Sequence, residues 1–314
     1  MQSEMRKSWT RESLVAFLVA SLKGISQVLL IENAISGLLI LLAITTYSSF
    51  LGVITLLSAF VGTIVGKLGG ADEKSISQGL FGYNSVLTGI VLASFLTGSY
   101  HWIIALVGAA IAAIFTAAMM HVLKDSGIPI LTFPFIILSW LMLLASYRLK
   151  VFQLTPDLFP QDLSHWEVDM TGKVDWVDGT FNGIGQIFFL DSTFSGALIF
   201  VSIFWASWKF GLYAIIGNSV ALLTSYLLGA EPNLIFMGLY GYNAILTIIA
   251  VSIVYNAKSN RFTPFLGIIG ACLTVLLTAS IATLLLPFGL PTLTLPFVLS
   301  TWLLLGARKV LPRL

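Results

Sequence analysis

The chain has 314 residues, of which 57% are hydrophobic and only 10% charged, and its formal net charge is +2. That balance excludes a soluble globular domain, whose surface needs far more charge, and leaves no basic face for a nucleic acid. The uncharged runs are continuous rather than alternating, so they read as membrane helices and not as barrel strands.

The predicted fold is an all-α polytopic membrane protein. At about 20 apolar residues per crossing, the chain has room for roughly ten spans. Residues 1–24, MQSEMRKSWTRESLVAFLVASLKG, hold a short apolar run with no small-residue cleavage site behind it. Ser8 to Lys23 is predicted as an amphipathic helix lying at the interface, with a first partial span as the alternative. A first membrane unit covers 25–150, with spans near 26–46, 48–66, 84–99, 102–121 and 130–147. A polar connector, 151–180, precedes a second unit over 181–310, with spans near 186–204, 210–228, 243–257, 264–286 and 292–307, and a tail at 311–314. Short re-entrant pieces are predicted at 75–83 and 233–242.

The two units repeat one another. SQVLLIENAISGLLILLAI from Ser26 matches GQIFFLDSTFSGALIFVSI from Gly185, and GLFGYNSVLTGI from Gly79 matches GLYGYNAILTII from Gly238, both 159 positions apart. GIPILTFPFIILSW from Gly127 matches GLPTLTLPFVLSTW from Gly289, 162 positions apart. An odd number of spans per unit means that the second unit is inserted upside down. The basic residues agree with that topology. With the N-terminus cytoplasmic, 13 of the 16 Lys and Arg fall inside, among them Lys23, Lys67, Lys124, Lys258, Arg261 and Arg308, and only Arg148, Lys150 and Lys173 fall outside.

Inverted repeats with interrupted helices build transport sites near the membrane midplane. Backbone left unpaired in hydrocarbon costs several kcal/mol per group, so such breaks line polar paths or are buried in protein. The glycines of GLFGYN and GLYGYN allow a turn and a close helix approach, and Asn84 and Asn243 can satisfy the freed backbone groups. Plain helix packing by glycine and asparagine is the alternative. Glu32 and Asp191 are paired intramembrane acids, read as structural groups that hold half-helix ends near the pore; proton carriage is the alternative. Cys272 stands alone, and His101, His121 and His165 form no catalytic or metal-binding spacing. No enzyme activity, metal or cofactor is expected.

At these motifs the sequence resembles the urea transporters, over nearly the whole chain. SQVLLIENAISG and GQIFFLDSTFSG, the two GYN segments, and the LTFPF and LTLPF boxes carry the resemblance. It implies two inverted five-helix repeats, each with a re-entrant half-spanning pore helix, and a urea pore in every subunit of a homotrimer in a bacterial inner membrane. Residue by residue it implies urea-contacting polar groups at Gln27 and Gln186, constriction threonines at Thr132 and Thr294, and aromatic positions at Tyr83 and Tyr242. It also implies apolar slot walls at Leu87 and Leu246, and a slot aromatic at Phe189 that the first repeat replaces with Leu30.

Such a slot suits a flat neutral solute with four N–H donors. It offers an ion nothing in return for its lost hydration, and its weak repeated sites release what they bind. The residues themselves leave two alternatives standing. One is a proton- or ion-coupled transporter using Glu32 and Asp191; the other is a channel for a different small neutral molecule.

Overall fold

The computed structural model describes residues 11–165, 167–256 and 262–311. The first ten residues of the N-terminal segment, Lys258 and Arg261, and residues 312–314 of the tail lie outside the described residues.

The first repeat runs α1 (Arg11–Ser26), α2 (Ala34–Tyr47), α3 (Ser49–Leu68), α4 (Glu73–Ser77), α5 (Tyr83–Phe95), α6 (His101–Val122) and α7 (Phe133–Ala145). The second runs α8 (Trp176–Gly185), α9 (Thr193–Ala206), α10 (Trp208–Leu227), α11 (Pro232–Phe236), α12 (Gly241–Ile249), α13 (Thr263–Leu285) and α14 (Leu295–Val310). Two short strands, β1 (Leu96–Thr97) and β2 (Gln153–Leu154), pair antiparallel and tie the connector to the end of α5. With two residues each, they leave the all-α class intact.

Local chemistry sets the helix starts. Asn33 caps α2 by accepting from the Ser36 N–H, Ser192 caps α9 by accepting from the Ser195 N–H, and Asp72 caps α4 by accepting from the Ser75 N–H. Pro134 and Pro296 stand in the first turns of α7 and α14, where a missing N–H costs nothing.

The repeat is written into the backbone as well as the sequence. Leu30 and Phe189 both take φ 60°, and Leu131 and Leu293 both take φ 49°. A left-handed conformation costs a bulky side chain about 1–2 kcal/mol, so four such residues at matching sites mark positions the surrounding packing enforces. After each first helix a 3₁₀ turn, Gln27–Leu29 or Gln186–Phe188, ends on the left-handed residue. The closing bonds match too: Leu30 N–H to Gln27 O and Ile31 N–H to Ser26 O, then Phe189 N–H to Gln186 O and Leu190 N–H to Gly185 O.

Contacts between the repeats are reciprocal. Trp140 Nε1 donates to Pro291 O (2.8 Å), and its counterpart Trp302 Nε1 donates to Pro129 O (2.7 Å). Mutual contacts of this kind follow from a two-fold axis between the halves. Such an axis is in keeping with the inverted orientation expected from the sequence.

The placement of the re-entrant element differs from expectation. Segments 75–83 and 233–242 hold only the five-residue helices α4 and α11 and a turn. The bend lies earlier: Trp176–Phe188 and Thr193–Ala206 meet at 75° across a four-residue break. The first repeat has the same break between Leu29 and Ala34, after α1. α1 packs on α2, α3 and α4 as α8 packs on α9, α10 and α11, which a helix lying on the membrane surface does not explain. Among the described residues, five helices are long and apolar enough to cross alone, or six with the bent pair. α5 and α7, at 13 residues, rise only about 20 Å, so unwound backbone completes their paths.

The glycines of the GYN segments now have a physical reason. Gly79 and Gly238 take φ +79° and +76°, and a Cβ at either would lie 2.4 Å from Gly24 N or 2.2 Å from Gly183 N. The turn before α5 thus lies directly on the backbone of α1, and the turn before α12 on that of α8.

Candidate transport site

The site is built from the helix breaks. Leu131, left-handed just ahead of α7, exposes a carbonyl that accepts from Tyr83 OH (2.8 Å) and from Asn84 Nδ2 (3.4 Å). In the second repeat Leu293 O accepts from Tyr242 OH (2.6 Å) and Asn243 Nδ2 (3.2 Å). The Tyr-Asn pair of each GYN segment therefore holds the unwound strand of its own repeat. Asn243 Oδ1 also accepts from the Phe297 N–H (3.2 Å), whereas Asn84 Nδ2 reaches Thr116 Oγ1 (2.9 Å) and Asn84 Oδ1 has no partner among the described residues.

Two cavities flank these breaks. The first-repeat cavity, about 400 Å³, is lined by Gln27, Leu30, Tyr83, Leu131, Lys124 and Tyr255. The second-repeat cavity, about 730 Å³, is lined by Gln186, Phe189, Tyr242, Leu293 and Phe95, with Asp157 and Glu231 at its polar margin. Phe189 lies within reach of Phe95 (centroids 6.1 Å) and Phe135 (6.2 Å), so one wall of this cavity is aromatic. Leu30 stands at the equivalent place in the first cavity.

Between the cavities the protein is closed. Thr132 and Thr294, which follow the cavity-lining Leu131 and Leu293, are 3% and 1% exposed, and their hydroxyls meet at 2.6 Å across the pseudo-two-fold axis. Each sits where a threonine could cap its own helix, yet neither side chain does so. Leu87 and Leu246, one turn beyond the tyrosines, are fully buried and line neither cavity. Of the ten predicted pore residues, six line the cavities, while Thr132, Thr294, Leu87 and Leu246 are buried outside both linings.

Glu32 and Asp191 are both exposed. Glu32 pairs with Lys23 Nζ (2.7 Å) and accepts from Gln78 Nε2 (3.2 Å), while Asp191 has no partner among the described residues. Neither lines a cavity. Gln78, Leu131 and Leu293 were not singled out in the sequence, and Lys23 only as a helix end and an inside positive charge. Leu131 and Leu293 lie inside the matched LTFPF and LTLPF boxes, which was the available signal.

The connector crosses the margin of the second cavity, and Gln161 N–H donates to Leu286 O (3.1 Å). Its loop is held by Asp162, which accepts from the Ser164 N–H (2.9 Å), and by Asp169, which accepts from Thr171 Oγ1 (2.6 Å) and the Thr171 N–H (2.9 Å). These bonds lower both carboxyls below the ordinary range. A lowered carboxyl contributes order above its ordinary pKa and loses it as pH falls through the folded value. Hydrogen exchange of residues 153–165 and 167–171, corrected for its intrinsic pH dependence, should thus show unchanged protection from pH 8 to about pH 5 and a loss below about pH 4. Loss of protection already at pH 6 would show that other groups hold the loop.

Inverted halves with broken helices around two cavities that end on a shared partition define a membrane transport protein. The sequence matches the family described as urea transporter over residues 18–309. The chain belongs to the urea transporter family. It is 28% identical over 293 residues to urea transporter 1 of Rattus norvegicus, covering 87% of this chain and 74% of that protein. With urea transporter 1 of Ovis aries it shares 30% over 273 residues, 83% of this chain and 69% of the relative. With that of Mus musculus it shares 28% over 264 residues, 80% and 67%.

Proposed function

We propose that the protein conducts urea passively through a narrow slot running from one cavity to the other across the Thr132–Thr294 pair. The observation that carries this reading is the matched lining of the two cavities, Gln27, Leu30 and Tyr83 against Gln186, Phe189 and Tyr242, on either side of the buried Thr132–Thr294 hydroxyl pair. Flat apolar walls accept the faces of urea, and amide and hydroxyl oxygens accept its N–H groups. An ion entering the same slot loses hydration without compensation. Leu87 and Leu246 serve as the apolar walls at the narrowest part, and Asn84 and Asn243 as the struts behind them.

Both cavities belong to a single chain, which supports one pore per subunit, with the homotrimer expected from the family resemblance. The first cavity carries Lys124 and the second Asp157 and Glu231, in keeping with a cytoplasmic first cavity, cytoplasmic termini and an external connector in a bacterial inner membrane. Glu32, already paired with Lys23 and away from both cavities, is poorly placed to carry protons.

In sealed proteoliposomes, tracer urea should equilibrate and never exceed the outside concentration, with or without an imposed pH gradient. Accumulation that disappears in Glu32→Gln would overturn the channel and establish a proton-coupled transporter.

A further inference from the structure

The two cavity glutamines are equivalent in sequence position and unequal in surroundings. In the first repeat, Gln27 Nε2 donates to the backbone carbonyl of Gln78 (3.0 Å). A carbonyl only accepts, so the nitrogen of Gln27 is turned to the protein and its oxygen is left for the cavity. Gln78, at the C-terminal end of α4, is itself held: its side-chain amide donates to Glu32 Oε2 (3.2 Å), and Glu32 Oε1 accepts from Lys23 Nζ (2.7 Å). Lys23 lies one turn before Gln27 on α1. Three side chains, on α1, in the break before α2 and at the end of α4, thereby fix the turn that supplies the acceptor for Gln27.

The second repeat keeps a carboxylate but lacks the lysine and the glutamine of this device. Position for position, Asn182 stands for Lys23, Met237 for Gln78 and Asp191 for Glu32. Asn182 donates to Phe236 O (3.2 Å), and the Gln186 side chain has no hydrogen-bond partner among the described residues. Gln186 is nonetheless 8% exposed and lines its cavity.

We infer that Lys23, Glu32 and Gln78 are positioning residues that fix Gln27 as a hydrogen-bond acceptor toward the first-repeat cavity, while Gln186 is free to offer either end of its amide. The first cavity then reads N–H donors and the second tolerates either polarity. This inference rests on the cavities being the urea path. Its consequence is discrimination against acetamide, which has the shape of urea with a methyl group in place of one NH2. A fixed acceptor facing that methyl is left unpaired, and sites built for an N–H reject analogues that lack it.

The test is the urea-to-acetamide flux ratio in proteoliposomes, measured for the wild type, Lys23→Asn, Gln78→Met and Lys23→Arg. The first two variants carry the residue that the second repeat already holds at the same place, so either alone suffices. Each should lower the ratio about fivefold, the factor that one ordinary hydrogen bond is worth. Lys23→Arg, which keeps the pair, should hold the wild-type ratio. An exposed ion pair adds little to stability, so melting temperatures should stay near that of the wild type. An unchanged ratio in folded Lys23→Asn and Gln78→Met proteins overturns the positioning role and leaves the urea path intact. A wild type that passes no urea overturns the path itself.

Discussion

Leu87→Asp should reduce urea flux to the background of empty vesicles while the protein still inserts. Leu87 is fully buried on α5, one turn past Tyr83, in the same apolar cluster as Leu131, Phe135 and Leu246. An ionised carboxylate there costs several kcal/mol to bury. A protonated one still holds water or a neighbouring hydroxyl in a space that has to stay narrow and apolar for a flat solute to pass. Leu87→Met keeps volume and polarity, and such swaps cost less than about 1.5 kcal/mol, so flux in that variant should remain close to that of the wild type. Light-scattering of vesicles under a urea gradient reads both. Near-normal flux in a correctly inserted Leu87→Asp protein would remove Leu87 from the slot wall.

The second large effect concerns folding rather than conduction. Gly229 and Gly238 share nearly the same left-handed backbone, φ +74° and +76°. A Cβ at Gly229 meets nothing within 4 Å, whereas a Cβ at Gly238 lies 2.2 Å from Gly183 N and 2.5 Å from Gly183 Cα. Alanine at either position pays about 1–2 kcal/mol for its conformation. At Gly238 the contact is with backbone, so the turn before α12 has to move off α8. The total loss there should exceed about 4 kcal/mol, in the range that unfolds a marginally stable protein. Gly229→Ala should therefore purify and melt a few degrees below wild type, and Gly238→Ala should yield little folded protein. Equal melting temperatures for the two would show that the α8 contact is not what requires glycine.

The amino-acid sequence by itself determined the membrane class, the duplication at offsets of 159 and 162, and the paired residues that recur around the cavities. These are legible because hydrophobic periodicity and repetition survive without coordinates. Gln27 with Gln186 and Tyr83 with Tyr242 could be matched by counting alone.

Where the helices break was decided only by the tertiary structure. Leu30, Phe189, Leu131 and Leu293 adopt a left-handed backbone that leucine and phenylalanine disfavour, and nothing in their composition announces it. For the same reason α1 looked like an interfacial segment: its role as counterpart of α8 rests on packing against α2, α3 and α4. Thr132 and Thr294 are 162 positions apart, and only the two-fold relation between the repeats brings their hydroxyls to 2.6 Å. Glu32 and Asp191 look equivalent in sequence, yet Glu32 has Lys23 within reach, whereas the second repeat carries Asn182 at the position of that lysine. Local sequence records which side chains are apolar and which recur; the partners that lock a strained backbone or orient an amide come from chain segments that only the fold brings together.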